Sequence, residues 1–414
     1  MTQGGVRHAH ATANGLTLRS SLLNARNNKA RSHPSSSFPS VAAISDNFPT
    51  TGTTATEDDA LSPSRREFSR ALFQNALIAA GVASATPEAL AIEPFCGIFS
   101  KGDSQLLPGY VYTTPWDENT VNFNGAQTWF RVVGKKKAER KAGKLPLLCL
   151  HGGPGVSSRY LEPLELLSSQ NRRVAYYDQF GCGFSSDPRE PVEYSLKLFA
   201  DELDAVRRKL GFEEVHLLGH GWGGMVALEY LLDGGNAKGV ASLTLSGVPP
   251  STQRQMMDRQ LNLERLAPAI QEALRRGDDD PAARTTFEFR SAKRVYDRKH
   301  LSARLPDCIT ASEELTSEEA VLALTGGLTF REAGILAGWS VEERLHELSM
   351  PVLLTRGTYD EVSPSTLAFM DERIPSSRVR NFAGGSCSHI DDWEAYLEEL
   401  DNFYSLVEGS GGEL

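Results

Sequence analysis

Short apolar runs separated by polar and helical stretches dominate the chain from residue 145 onward. Apolar runs of this length, bounded by turn residues, predict buried strands. They lie at Leu145–Leu150, Val174–Tyr177, Val215–Leu218, Ser242–Ser246, Pro351–Gly357 and Arg378–Phe382. Between the second and third runs, Ser195–Leu210 has the pattern of a helix with Ser195 as its N-cap. This alternation predicts an α/β fold with a mostly parallel sheet flanked by helices.

A hairpin is predicted ahead of the first buried strand. Extended stretches at Tyr110–Thr113 and Val121–Phe123 lead into Asn124-Gly125, and Thr128–Val133 follows. Asn-Gly favours a tight hairpin turn because both residues accept positive φ. The basic run Lys135–Lys144 is typical of a solvated loop or helix start rather than of a binding patch.

Helical spacing replaces strand spacing between residues 249 and 348. Gln255–Arg276 has Leu and Met at helical intervals, and Ser312–Leu324 and Val341–Leu348 are predicted as short helices. We therefore expect the following organisation of the sheet domain. It has a first half at 92–248, a helical cap at 249–348, a second half at 349–409 and a flexible tail at 410–414.

The first 91 residues have the composition of targeting segments. Residues 1–45 contain Arg but neither Asp nor Glu, and 1–60 is predicted to be a disordered, transit-peptide-like segment. In the segment 61–91, Arg65-Arg66 precedes an apolar stretch that ends at Ala89-Leu90-Ala91, which predicts a twin-arginine (Tat) signal with a cleavage site. The combination predicts the thylakoid lumen of the chloroplast, or export by a Tat-type signal. The apolar stretch is too short to span a bilayer, so no membrane span is expected in the mature chain.

Composition narrows the class of protein further. The chain has 414 residues, 40% of them hydrophobic, which suffices for a large core with an accessory region. A net charge of −10 argues against a nucleic-acid partner. The cysteines are Cys96, Cys149, Cys182, Cys308 and Cys387. They show no metal-ligand spacing, and their odd number argues against a full disulfide framework. We expect neither a metal nor a cofactor.

The segment Val215–Gly224 has the context of a nucleophile elbow, in which a strand, a sharp Gly turn and a helix start follow one another. The motif G-x-S-x-G places a serine above the sheet at the centre of this turn. Here the central position is Gly221, between Gly219 and Gly223. Glycine has no side chain that could attack a carbonyl, so we interpret Gly221 as a degenerate nucleophile position.

The other parts of an acyl-transfer site follow in the expected order. The loop His151, Gly152, Gly153, Pro154 and Gly155 comes after a predicted strand, where backbone N–H groups can bind an oxyanion. Asp360 follows the strand run ending at Gly357, and His389 follows the one ending at Phe382. The order elbow, acid, histidine is that of the α/β-hydrolases.

A dinucleotide fingerprint is the competing interpretation of the glycines. Gly219, Gly221 and Gly224 also satisfy G-x-G-x-x-G between a strand and a helix. That motif needs an acid at the end of the next strand, but Ser242–Ser246 is followed by Gly247-Val248-Pro249. The fingerprint also leaves the pair Asp360 and His389 unexplained, so we do not favour it.

Several stretches together resemble the proline iminopeptidases of the α/β-hydrolase superfamily. They are His151–Gly155, Tyr177–Ser186, Leu218–Gly224, Arg356–Glu361 and Cys387–His389, within a resemblance that runs from about Gly109 to about Val407. The resemblance implies an α/β-hydrolase fold with a helical cap inserted before the strand of the catalytic acid. It also implies that Asp360 and His389 are catalytic and that the Gly153 and Trp222 amides form the oxyanion hole. Gly221 departs from the family's serine, and Phe184 departs from a position that is often polar.

The resemblance also bears on the ligand. Iminopeptidases of this family hold the free amine of the substrate with carboxylates of the cap, and the segment Phe287–Leu301 resembles the relevant cap helix. The expected acid positions fall on Ser291 and Thr329, whereas Glu288, Asp297 and Glu332 lie nearby in sequence. The partner implied is a small molecule or short peptide.

Three functions are compatible with these residues. The one we favour from the sequence is a repurposed enzyme in which His389 acts as a general base on a small molecule. The second is a catalytically silent protein that binds a small molecule in the capped pocket. The third is peptidase- or esterase-type hydrolysis with an unrecognised nucleophile, for which Cys387 is the candidate.

Overall fold

The computed structural model describes residues 115–188 and 192–410. The transit-like and signal segments, the stretch Tyr110–Thr113 and residues 411–414 lie outside this range. In the described part, no helix combines the length and the apolar composition needed to cross a membrane.

An 8-stranded sheet forms the centre of the fold. Its strands are β1 (Trp116–Phe123), β2 (Ala126–Val133), β3 (Leu147–Leu150), β4 (Val174–Tyr177), β5 (Val215–His220), β6 (Val240–Ser246), β7 (Val352–Gly357) and β8 (Ser377–Phe382). Their spatial order is β1-β2-β4-β3-β5-β6-β7-β8. The hairpin β1-β2 is antiparallel, and β2 pairs antiparallel with β4. All remaining pairs, from β4 to β8, are parallel. The predicted mostly parallel sheet is confirmed.

Helices cover both faces of the sheet and fill the segment between β6 and β7. The α-helices are α1 (Lys136–Ala142), α2 (Leu196–Leu210), α3 (Trp222–Leu232), α4 (Thr252–Glu264), α5 (Pro268–Asp279), α6 (Phe287–His300), α7 (Asp307–Glu314), α8 (Glu318–Thr325), α9 (Pro364–Asp371), α10 (Ser388–Asp391) and α11 (Trp393–Ser410). Within residues 115–188 and 192–410, three 3₁₀ helices span Ser158–Gln170, Pro281–Thr285 and Glu342–Glu347.

Local sequence signals account for several of these boundaries. Asn124 and Gly125 form the predicted turn with φ of 44° and 79°, values that suit these two residues. The Ser195 side chain accepts a hydrogen bond from the Leu198 N–H at 3.1 Å, which confirms it as the N-cap of α2. The basic run after β2 forms the short helix α1.

The segment between β6 and β7, which we call the helical insertion, differs in detail from the sequence prediction. The stretch Gln255–Arg276 is divided into α4 and α5, because Pro268 starts a helix readily but cannot continue one. The stretch Ser312–Leu324 was predicted as one short helix, and this is wrong. It contains the end of α7 and most of α8, which begins anew after the N-cap Ser317. The stretch Val341–Leu348 contains a 3₁₀ helix.

The core lies on both faces of the sheet. Leu217 packs with residues of α2 and α3 on one face, whereas Leu218 packs with α11 on the other. Successive strand residues point to opposite faces, so a fully buried strand such as β5 serves both clusters. The carboxyl ends of the parallel strands therefore meet at one edge, which is where such sheets hold their ligands.

Candidate functional site

Gly221 has the backbone conformation of a nucleophile elbow. It lies between the end of β5 and the start of α3, with φ 50° and ψ −117°. This conformation is costly for a residue with a Cβ and easy for glycine. An ideal Cβ built on Gly221 has no heavy atom within 4 Å, so the space in front of the turn is open. A side chain would have room here, but the chain supplies none.

Close packing explains the neighbouring glycines. A Cβ on Gly219 would overlap the Cα of Gly224, and a Cβ on Gly223 would overlap the carbonyl oxygen of Leu150. A Cβ on Gly224 would overlap the side chain of Val248. The glycines thus let the start of α3 approach β3 and β5 closely, and their spacing needs no dinucleotide to explain it.

Two backbone amides face the same space as Gly221. Within residues 115–188 and 192–410, the N–H groups of Gly153 and Trp222 donate no hydrogen bond. Both residues line the cavity that contains Gly221. Unpaired donors at a helix start and on the loop after β3 are suited to bind an acceptor oxygen.

The loop 151–155 is held from several sides. The Gly152 N–H donates to the Tyr160 hydroxyl at 2.5 Å, and the His151 Nδ1 lies 2.8 Å from the Gly152 carbonyl oxygen. The Gly155 carbonyl accepts from the Ser317 N–H at 2.8 Å, which ties the loop to the start of α8. Gly152, Gly153 and Pro154 line the cavity. His151 is buried behind them.

Gln179 connects this loop to the elbow. Its Nε2 donates to the His151 carbonyl at 3.0 Å, and its Oε1 accepts from the Trp222 indole at 2.6 Å. The Gln179 N–H donates to the His151 Nε2 at 3.0 Å. The buried Gln179 side chain therefore links Trp222, whose amide is unpaired, to the loop that carries the other unpaired amide, that of Gly153.

His389 is buried and does not line the cavity. Its Nε2 lies 3.0 Å from the Tyr160 carbonyl oxygen. A carbonyl only accepts, so Nε2 carries the proton and donates. Burial, together with the neighbouring His220, lowers the pKa of His389 to about 3. The imidazole is therefore neutral at physiological pH, and its Nε2 is occupied by the backbone.

Asp360 lines the cavity at the end of β7. Its carboxylate accepts from the Val362 N–H at 3.0 Å and from the Gly357 N–H at 3.2 Å. Burial raises its pKa to about 7. Among the described residues, no hydrogen bond joins the Asp360 carboxylate to the His389 imidazole. Their assignment as a catalytic pair stays a prediction.

Tyr160 and His220 contact the His389 ring and line the cavity that contains Gly221. The His220 Nε2 lies 3.1 Å from the Ser386 carbonyl and so donates to it, which leaves Nδ1 to accept from the Tyr160 hydroxyl at 2.9 Å. The His220 and His389 rings are 5.5 Å apart between centroids. Burial lowers the pKa of His220 to about 4. Sequence reasoning assigned no role to either residue, because Tyr160 lies in a segment without a motif and His220 is a variable position of the elbow.

The cavity has a volume of about 590 Å³ and lies between the sheet edge and the helical insertion. The core contributes Gly153, Gly221, Trp222 and Asp360. The insertion contributes apolar residues such as Leu274, Phe289, Ile309 and Leu328, together with polar and charged ones. The structure thus brings Gly221, the two residues of the predicted oxyanion hole and the predicted acid to one cavity.

The insertion also places charged side chains on the cavity wall. Arg259 of α4 forms an ion pair with Glu361 at 3.0 Å, and the Tyr296 hydroxyl donates to Glu361 at 2.8 Å. Lys293 of α6 pairs with Asp297 at 2.6 Å and with Glu313 at 3.0 Å.

Of the residues considered as amine ligands from the sequence, two line the cavity. These are Thr329 and Asp297, whereas Ser291, Glu288 and Glu332 are exposed and lie elsewhere. Glu361 and Arg259 were missed, because Arg259 lies within an ordinary helical pattern and their pairing depends on the tertiary structure.

Cys387 lines the cavity as a buried thiol. Burial, and to a smaller extent Asp391 and Asp360, raise its pKa well above the usual range. A nucleophilic cysteine needs a lowered pKa, so its surroundings are those of a structural residue.

In the described part of the chain, no group of three or more His, Cys, Asp and Glu side chains is placed to hold a metal ion. Phe184, the other departure from the family pattern, is half exposed and packs against Trp129, with ring centroids 5.2 Å apart.

Fold and site together define an α/β-hydrolase, and residues 146–392 match the family described as alpha/beta hydrolase fold. The chain belongs to that family, and within it the chain is related to the proline iminopeptidases. The Proline iminopeptidase of Clostridioides difficile (strain 630) is 32% identical over 292 residues, which are 68% of this chain and 96% of that protein. The Proline iminopeptidase of Lactobacillus delbrueckii subsp. lactis is 33% identical over 301 residues, which are 70% of this chain and 96% of that protein.

A solved structure supports the same relationship. The crystal structure of the Proline iminopeptidase of Mycobacterium smegmatis superposes with a TM-score of 0.63 at 29% identity. The match covers 71% of this chain and 100% of that one. The family match at 146–392 includes Gly221 and the helical insertion.

Proposed function

We propose that this protein binds a small molecule or short peptide in its cavity and does not perform serine-type covalent catalysis. The observation that carries the proposal is Gly221, which has the elbow conformation and no side chain. In α/β-hydrolases this position holds the nucleophile. Removal of the nucleophile from a comparable triad lowers kcat by about 10⁶-fold, while binding and oxyanion donors survive.

The surroundings of His389 support binding over catalysis. A general base must have a free nitrogen within reach of the proton that it takes, and a pKa near the working pH. The Nε2 of His389 donates to a backbone carbonyl, and burial holds the pKa far below neutral. Asp360 is bonded to backbone amides rather than to the imidazole.

The second candidate is the repurposed enzyme in which His389 activates water or substrate. It is favoured by the convergence of Gly153, Gly221, Trp222 and Asp360 on one cavity. This function requires His389 to leave the Tyr160 carbonyl and face the open space at Gly221. Ordinary hydrolysis through Cys387 has less support, because the thiol is buried and protonated.

The test compares the wild type with two variants. We expect the wild type to form no adduct with a serine-directed fluorophosphonate and to show negligible turnover of proline and alanine arylamides. Native mass spectrometry of the purified protein should instead reveal a bound small molecule, lost when the cavity is filled by Leu274→Trp. Covalent labelling of the wild type would contradict the proposal.

The Gly221→Ser and His389→Ala variants separate the alternatives. Gly221→Ser places an Oγ in open space, and we expect the folded variant to stay weakly reactive because His389 is turned to Tyr160. Conversion of any metabolite by the wild type that His389→Ala abolishes would overturn the binding proposal and establish the repurposed enzyme.

A further inference from the structure

The cavity wall carries acidic side chains, and each of them is already engaged by the protein. They are Asp258, Asp297, Glu313, Asp360 and Glu361. Asp258 accepts from the Ser363 N–H at 3.0 Å, and Asp360 accepts from two backbone amides. The other three accept from Lys293, Arg259 or Tyr296.

A cationic side chain of the protein interacts with each of these carboxylates. Arg259 donates through both Nε and an Nη to Glu361, and Lys293 bridges Asp297 and Glu313. The charge of Arg356, behind the wall, acts on Asp258 and Asp360. A free amine entering the cavity would therefore meet carboxylates whose counterions are already present.

The unpaired polar groups of the cavity are N–H donors, so they prefer a ligand with an acceptor atom to one with a protonated amine. Among the described residues, the N–H groups of Gly153 and Trp222 have no acceptor, and such donors are suited to the carbonyl oxygen of a ligand. The cavity is also lined by apolar side chains such as Leu274, Phe289 and Ile309. Apolar surface that leaves water on binding stabilises a ligand body without charge.

We propose that the cavity takes an uncharged acyl compound, an ester or an amide whose nitrogen is blocked, and rejects ligands with a free amine. Its carbonyl oxygen accepts from the Gly153 and Trp222 amides. Arg259 sets this preference by occupying Glu361, the carboxylate next to Asp360. This inference rests on the proposed function, because it names the ligand class of the same cavity.

The physical reason is competition between cations. A protonated amine can pair with Glu361 only by displacing Arg259, which would leave a guanidinium in the cavity wall without its partner. Separation of a partly buried ion pair is unfavourable because the remaining charge lacks compensation. A blocked nitrogen brings no charge and leaves the pair intact.

The experiment uses two matched probes, L-proline 2-naphthylamide and N-acetyl-L-proline 2-naphthylamide, at pH 7. The first carries a charged amine and the second does not. Equilibrium dialysis of the full-length protein gives both dissociation constants, and chromatography of the same samples detects released 2-naphthylamine. We expect the blocked probe to bind at least about tenfold more tightly, the equivalent of one charge-assisted hydrogen bond.

Variants test the role of Arg259. Arg259→Met frees Glu361, and the preference should shift towards the free amine by about tenfold or more. The double variant Arg259→Met/Glu361→Gln has no lone carboxylate and should not gain amine binding. Arg294→Met, on an exposed position of α6, is the control and should leave both constants unchanged.

The outcomes are distinct. Equal or tighter binding of the free amine by the wild type overturns the inference, as does failure of the blocked probe to bind. If Arg259→Met does not fold, the wild-type comparison still decides. Release of 2-naphthylamine by the wild type would overturn the proposed function, whereas the ratio of the initial dissociation constants would still report the ligand class.

Discussion

At the scale of single residues, proton positions around Gly221 follow from the acceptors that surround them. His220 and His389 each donate through Nε2 to a backbone carbonyl, of Ser386 and Tyr160 respectively. Both imidazoles are buried and have pKa values lowered to about 4 and about 3. The centre of this site is therefore a neutral network and not a charged one.

We predict that both histidines remain neutral from pH 5 to pH 8. Side-chain ¹⁵N shifts measured by NMR should stay constant over this range for both rings and should show a protonated Nε2. An unfolded chain would take up protons near pH 6.5. Because the folded state does not, these histidines make the free energy of unfolding fall as the pH drops below that value. A ring titrating between pH 6 and 7 would contradict this assignment.

Residue positions were predictable where a motif fixes the local backbone. The open turn at Gly221 and the cavity position of Asp360 follow from strand ends and glycine spacing. Tyr160, Gln179 and Arg259 could not be found in that way. Each contributes through a side chain that reaches a partner distant in sequence, such as Tyr160 to His220 or Arg259 to Glu361.

At the scale of elements, helix α4 is attached directly to the loop that carries Asp360. The Asn262 Nδ2 donates to the Glu361 carbonyl at 3.1 Å, and Asp258 accepts from the Ser363 N–H. With the Arg259–Glu361 pair, one face of α4 holds the residues after β7. Helix α4 is thus joined to the segment that follows Asp360 by two hydrogen bonds and an ion pair.

We predict that Asn262→Ala loosens this attachment without unfolding the sheet. Loss of a buried amide hydrogen bond should cost about 1–2 kcal/mol. Hydrogen exchange followed by mass spectrometry should show faster exchange in α4 and at 360–363, with unchanged protection in β5 and β6. Gln260→Ala, which removes an exposed hydrogen bond to Glu264 on the same helix, should have no such effect. Equal acceleration in the sheet would indicate global destabilisation instead.

The strands were easier to predict than the helices of the insertion. Buried parallel strands such as β5 are continuous apolar runs, and their burial on both faces follows from that pattern. Strand ends shifted by one or two residues, since β6 begins at Val240 rather than Ser242. Within the insertion, α8 begins after Ser317, whose hydroxyl accepts from the Ala320 N–H and whose own N–H donates to the carbonyl of Gly155 in a loop distant in sequence.

At the scale of the whole molecule, Glu408 fastens the C-terminal helix α11 to the sheet. Its carboxylate accepts from the Leu145 N–H and the Arg172 guanidinium, both at 2.6 Å, and from His216 at 3.3 Å. Burial alone would raise its pKa, but hydrogen bonds from His216 and Arg172 lower it to about 2. These hydrogen bonds therefore hold α11 against the segment at the start of β3.

We predict that Glu408→Gln destabilises the protein by about 1–3 kcal/mol at pH 7. A carboxyl with a lowered folded pKa stabilises the fold above its unfolded value of about 4.3 and loses that contribution as the pH falls. The difference in unfolding free energy between wild type and variant should therefore shrink between about pH 4.3 and pH 2. Urea unfolding at several pH values measures it, with the exposed Glu214→Gln as control. A difference independent of pH would argue against the ionic origin.

Subcellular localisation is also a property of the whole molecule. We propose that Arg65 and Arg66 direct the protein to the thylakoid lumen by the Tat route. Cleavage after Ala91 would give a mature chain that begins at Ile92. Exchange of both arginines for lysine should leave the precursor outside the lumen in an import assay with isolated chloroplasts. N-terminal sequencing checks the cleavage site. Undiminished import of the double variant would remove the Tat assignment.

The elbow at Gly221 has a consequence for the evolution of this chain. A residue with a Cβ would hold φ 50° and ψ −117° at a cost of about 1–3 kcal/mol, and hydrolases accept that cost in return for a nucleophile. Glycine adopts the same turn without it. Selection for stability alone therefore favours glycine at this position, and glycine cannot form an acyl-enzyme. If ligand binding is the function, as we propose, no thermodynamic pressure favours a serine here, although the open space in front of the turn would accommodate it.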